Sequence, residues 1–142
     1  MIVIWGYGSI GSRHLDNLLS LEAGDLALIS KNTGKIKESV SKFIRIVEHP
    51  NRLNWKEVNS LIIATPTAFH AANLIFALKN GAKKIYLEKP ISNTDTEIDE
   101  IGALIDSVGA AVYVGYDLRY DPGINKTKDI INKSEIGNVC SF

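Results

Sequence analysis

The sequence predicts a doubly wound α/β domain, a mostly parallel sheet of about six strands with helices on both faces. Three observations predict it. Short apolar runs alternate with segments of helical period along nearly the whole chain. A run such as Leu61-Ile62-Ile63-Ala64 is continuous rather than alternating, the pattern of a strand buried on both faces of a parallel sheet. The first run, Ile2-Val3-Ile4, passes directly into a glycine turn, Gly6-Tyr7-Gly8-Ser9-Ile10-Gly11, and then into a helix from Ile10 to Leu21.

The elements follow in order. Leu26-Ala27-Leu28-Ile29 reads as a second strand, ended by Ser30-Lys31-Asn32. Gly34 to Ser41 reads as a short amphipathic helix, and Phe43 to Val47 as a third strand that stops at the turn His49-Pro50-Asn51, with His49 a surface loop residue. Leu53 to Asn59 makes one helical turn at most, and its Trp55 plugs the edge of the core. The fourth strand, Leu61 to Ala64, leads through Thr65-Pro66-Thr67 and His70 into a helix with Ala71, Leu74, Ile75 and Leu78 on one face, stopped by Asn80-Gly81. Lys84 to Leu87 is the fifth strand and runs into Glu88-Lys89-Pro90. Thr94 and Glu97 have the spacing of a capping box for a helix with Ile98, Ile101, Ile105 and Val108 on one side. Ala111 to Val114 is the sixth strand, and Asp121-Pro122 caps a last helix that runs to about Lys133. Val139 to Phe142 reads as the start of a further strand.

The glycine spacing carries a chemical expectation. The first glycine permits a tight turn, the second lets backbone approach a pyrophosphate, and the third lets helix and strand pack closely. The unpaired N–H groups at the helix start then favour a phosphate. Gly6, Tyr7, Gly8, Ser9, Ile10 and Gly11 are therefore expected to hold a dinucleotide. An acid often stands at the end of the second strand to bind the ribose 2′-hydroxyl. Here Ser30 and Lys31 occupy that place, with no Asp or Glu nearby in sequence, and a hydroxyl with a cation suits a 2′-phosphate. The cofactor is read as NADP or NAD, with NADP slightly favoured.

Ligands in open α/β sheets bind outside the carboxyl ends of the strands. All the polar clusters lie at such ends: the glycine turn, Ser30-Lys31, Thr65-Pro66 with His70, Glu88-Lys89-Pro90, and Tyr116 to Arg119. Lys89, at the mouth of a buried strand, is the candidate to orient a substrate oxygen and polarise it as hydride moves. Its structural alternative is a surface ion pair with Glu88, which in turn is a candidate for the nicotinamide ribose. Arg119 is read as a cofactor or substrate contact, with a structural salt bridge as its alternative, and His14 as structural. No C-x-x-C motif or histidine-rich cluster points to a metal.

Composition narrows the function classes. Lys+Arg and Asp+Glu are both 16 in 142 residues, so no basic field suggests nucleic acid. No apolar stretch approaches the length of a membrane span. Cys140 is the only cysteine, which fits a reducing compartment, and the expected location is the cytoplasm.

These motifs together resemble the Gfo/Idh/MocA oxidoreductases, relatives of glucose–fructose oxidoreductase and inositol dehydrogenase. The resemblance rests on Gly6 to His14, on Ala64 to His70, on Glu88-Lys89-Pro90-Ile91-Ser92, and on Gly115 to Pro122. It implies an NAD(P)-dependent dehydrogenase or reductase acting on a sugar, cyclitol or related polyol. It also implies that Lys89 is the catalytic lysine, that Pro90 is cis, and that Thr65, Pro66, His70 and Glu88 line the cofactor. Asp117 and Asp121 depart from the family, which often has Asn or Gln at the first position and His at the second. Family members carry a second, mostly antiparallel α/β domain that covers the nicotinamide, mediates homo-oligomer formation and supplies an acid–base histidine. Residues 1–135 are read as the cofactor domain and 136–142 as the entry to that second domain. The 142-residue chain by itself is expected to bind cofactor weakly and catalyse little. A non-catalytic NAD(P)-binding or redox-sensing module, and a glycoside-cleaving relative, are the alternatives.

Overall fold

The computed structural model describes residues 1–31, 34, 36 and 38–138. Val139 to Phe142, read above as the start of a further strand and part of the 136–142 domain entry, lie outside the described residues, as do Asn32 and Thr33 and, in the predicted second helix, Lys35 and Lys37.

The strands are β1 Ile2–Trp5, β2 Leu26–Ile29, β3 Arg45–Val47, β4 Ser60–Ile63, β5 Lys84–Leu87 and β6 Ala111–Val114. The helices are α1 Ser9–Ser20, α2 Glu38–Ser41, α3 His70–Lys79, α4 Ile98–Val108 and α5 Pro122–Asn132. The six strands form one sheet in the order β3-β2-β1-β4-β5-β6, and every pairing is parallel. Parallel neighbours need crossovers, and the intervening helices supply them. The chain first winds outward from β1 to β3, then returns to the far side of β1 with β4. The order therefore reverses between β1 and β4, where an open α/β sheet has its crevice.

The alternation of side chains along a strand divides the core into two layers. Val3, Trp5, Leu61, Ile63, Ile85 and Leu87 pack with Leu74 and Leu78 of α3 and Ile101 of α4. Ile4, Leu26 and Leu28 face the other way, onto Leu15 of α1. β2 is buried at every position, as its continuous apolar run requires. Trp5 closes an aromatic triad with Trp55 and Phe76, with ring centroids 6.3, 5.8 and 5.7 Å apart. The half-buried Trp55 Nε1 donates to the Pro50 carbonyl (3.1 Å), so this residue does plug the core edge. No helix among the described residues is long and apolar enough to cross a membrane.

Two local expectations need correction. β3 starts at Arg45, not Phe43; the Phe43 N–H closes onto the Val40 carbonyl (3.0 Å) behind α2, which leaves its ring 74% exposed. Thr94 and Glu97 do not form a capping box. The Thr94 hydroxyl bonds the Glu97 carboxylate itself (2.8 Å), and α4 starts after Glu97 without a side-chain cap. β6 is an edge strand and carries Tyr113 69% exposed. The Asp121 cap, by contrast, forms as read: its carboxylate accepts from the Ile124 N–H (2.9 Å) with Pro122 in the first turn.

Candidate functional site

The site begins where β1 turns into α1. Gly6 has φ +107°, and a Cβ there would stand 2.6 Å from the Ala64 carbonyl oxygen. A Cβ on Gly11 would stand 2.1 Å from the Gly6 carbonyl oxygen. Both glycines are thus required by the chain's own backbone. Gly8 is different. Its φ of −89° and ψ of −167° suit any L residue, and a Cβ there meets no described atom within 4 Å. Nothing inside the fold calls for glycine at this position. Gly8 is exposed at the N-cap of α1, has no side chain to cap the helix, and leaves the first-turn N–H groups without a side-chain cap. An open, uncapped helix start with a bare backbone approach fits a pyrophosphate.

Beside this turn lies a cavity of about 410 Å³ along the carboxyl ends of four adjacent strands. Trp5 and Gly6 line it from β1, Ser30 and Lys31 from β2, Glu48 and His49 from β3, and Thr65 and Pro66 from β4. Thr65 is held by Asn73, whose amide donates to the Thr65 hydroxyl (3.0 Å). Ser30 is buried, and Lys31 is exposed. Glu48 and His49 are the residues that sequence reading missed, since His49 reads as an ordinary loop residue. Their signal is topological: β3 pairs with β2, so the end of one lies beside the end of the other.

Glu88 and Lys89 leave β5 outside this cavity but are tied to it. His14 Nε2 donates to Glu88 Oε1 (2.7 Å) from α1, and its ring meets Tyr86 edge-on at 5.4 Å. Glu88 therefore pairs with His14 and not with Lys89, and His14 is structural as expected. The Lys89–Pro90 peptide is cis. His70 is 1% exposed, with Nδ1 2.6 Å from the Pro90 carbonyl oxygen and Nε2 2.7 Å from the Thr65 carbonyl oxygen. Both ring nitrogens face backbone carbonyls, so the buried ring joins the loops after β4 and β5. Lys89 is exposed and forms no ion pair among the described residues.

Tyr7 is half-buried against the second core layer, while Ser9 and Ile10 form the first turn of α1. Arg119 lies on the short turn Asp117–Tyr120 after β6, exposed and on the opposite side of β4 from the cavity. The structure thus places all the predicted clusters at one edge of the sheet, but only those of β1, β2 and β4 share the cavity.

The sequence of residues 1–116 matches the family model described as "Oxidoreductase family, NAD-binding Rossmann fold", GFO_IDH_MocA. The chain belongs to the Gfo/Idh/MocA oxidoreductase family. Among curated relatives of this family member, the uncharacterized oxidoreductase YrbE of Bacillus subtilis is 30% identical over 138 residues, 94% of this chain and 40% of YrbE. The scyllo-inositol 2-dehydrogenase (NAD(+)) of the same organism is 30% identical over 144 residues, 98% of this chain and 42% of that enzyme. The crystal structure of myo-inositol 2-dehydrogenase from Lactobacillus plantarum superposes with a TM-score of 0.83 at 24% identity, covering 96% of this chain and 42% of that one, and shares the fold. The chain therefore spans about two fifths of the length of the relatives it matches.

Two predictions follow from the geometry. Gly8→Ala should cost no more than the N-cap preference of glycine over alanine, about 1 kcal/mol, while cofactor affinity falls at least tenfold by titration. Gly11→Ala should destabilise by roughly 2 kcal/mol or more, because it strikes backbone. Equal loss of stability in both variants would remove the distinction. The second prediction concerns Tyr86, whose phenol is held above its ordinary value of 10.0 by burial, by the charges of Glu88 and Asp117, and by Tyr120. From about pH 10 upward the unfolded chain gives up this proton while the folded chain keeps it, so stability falls as pH rises. Tyr86→Phe should flatten the alkaline limb of a denaturation-versus-pH curve; an unchanged slope contradicts this.

Proposed function

We propose that this chain is the cofactor domain of an NAD(P)-dependent oxidoreductase that moves hydride to or from a sugar, cyclitol or related polyol. The observation that carries the reading is Gly8, a glycine that the fold does not need and a pyrophosphate does. Inositol dehydrogenases among the relatives support the polyol class. The bound nicotinamide would supply or accept the hydride. Gly6 to Gly11 would hold the pyrophosphate on the start of α1, and Thr65 and Pro66 would line the dinucleotide. Ser30 and Lys31 would meet the ribose end, where the Lys31 cation favours the 2′-phosphorylated cofactor. Glu88 presents its carboxylate in an orientation set by His14. Arg119, exposed on the turn after β6, would contact substrate or cofactor. Lys89 is the group left to act on substrate: its ammonium would hold the reacting oxygen and stabilise negative charge as it develops there.

The apolar surface of Tyr113, Tyr116, Leu118 and Tyr120 lies at the β6 end of the sheet, beside the Lys89 loop. An exposed cluster of this kind supports docking of a second domain, entered from residue 136, that covers the substrate and through which the protein assembles as a homo-oligomer. We place the protein in the cytoplasm, a reading supported by its single cysteine.

In the longest natural form of the chain, polyol-dependent NAD(P)+ reduction should fall by about 10²–10⁴ in kcat in Lys89→Ala, with cofactor Kd nearly unchanged. NADPH should bind more tightly than NADH. Failure to bind either cofactor, or a kcat insensitive to Lys89, contradicts the reading.

A further inference from the structure

The end of β2 lacks the acid that would receive a ribose hydroxyl, but the sheet brings one from the neighbouring strand. β2 and β3 run parallel with Ile29 beside Val47, and the ladder continues one step further, the Ser30 N–H donating to the Val47 carbonyl (3.0 Å). Glu48, the residue that follows β3, therefore stands about one strand spacing, ~4.8 Å, from the line of Ser30. Both residues line the same cavity, with Lys31 and His49 following them. Lys31 and Glu48 do not neutralise each other: neither forms an ion pair among the described residues, and both are exposed at the cavity wall.

Opposite charges that share a cavity without pairing each act on what enters it. A ribose diol donates hydrogen bonds, which a carboxylate accepts. A phosphate monoester carries about −1.5 to −2 charge, which a carboxylate repels and an ammonium attracts. We propose that Glu48 is a specificity-determining residue of the cofactor site: it accepts from the hydroxyls of the adenosine ribose and opposes the 2′-phosphorylated cofactor, against the pull of Lys31. Cofactor choice is then the difference between two opposed charges on adjacent strand ends. The inference rests on the cofactor assignment above and adds the residue that limits it.

The test is titration of NADH and NADPH into the parent chain, Glu48→Gln and Lys31→Gln, with thermal unfolding as a check on folding. In Glu48→Gln the NADPH:NADH affinity ratio should rise about tenfold, partly through weaker NADH binding. In Lys31→Gln the ratio should fall. A parent chain that binds both cofactors, with a ratio unmoved by Glu48→Gln, overturns the role of Glu48 and leaves the cofactor assignment standing. A parent chain that binds neither overturns both. A merely structural Glu48 would weaken the two cofactors equally, which also counts against the inference.

Discussion

The close approach of three backbone segments governs the rest of the site. Gly6, Gly11 and Ala64 come so near that a single Cβ on either glycine would overlap a carbonyl oxygen, at 2.6 Å for Gly6 and 2.1 Å for Gly11. This contact draws the end of β1, the start of α1 and the end of β4 together at the point where the strand order reverses. The helix start is consequently presented at the sheet edge, and the loop after β4 is near enough to form the opposite wall of the cavity. Gly8, spared from this packing, is the part of the turn left open to a ligand.

Two histidines carry that organisation outward to the loop after β5. His70 lies between the carbonyls of Thr65 and Pro90, so the loops after β4 and β5 are held to a common buried ring. His14 reaches from α1 to Glu88 and packs on Tyr86. Lys89 sits between these two attachments, so its backbone is fixed on either side while its ammonium stays in solvent. A buried imidazole and a charge-assisted hydrogen bond are well suited to such a task, because each orders backbone without occupying the ligand's space.

Much of this was legible in the sequence because it depends on local pattern. Continuous apolar runs, the glycine spacing and the Asp121-Pro122 cap each express a short-range physical requirement, and the sheet with its parallel strands follows from their alternation. What was not legible depends on tertiary placement. Thr94 and Glu97 satisfy a capping spacing yet bond side chain to side chain, since spacing does not fix where a helix begins. His70 stands at the start of a helix, and only the tertiary structure shows that its ring joins the loops after β4 and β5. Glu48 is 17 residues from Lys31 in the sequence and becomes its neighbour only through the pairing of β2 with β3.

The central claim is that the turn from Gly6 to Gly11 receives a dinucleotide on the open start of α1. The most direct measurement is an amide NMR titration of the chain with NADPH, followed residue by residue. The account predicts the largest saturable shifts at the Gly8, Ser9, Ile10 and Gly11 amides, with smaller ones at Lys31, Glu48 and Thr65 along the cavity. Saturable binding that leaves the Gly8–Gly11 amides unmoved would contradict it.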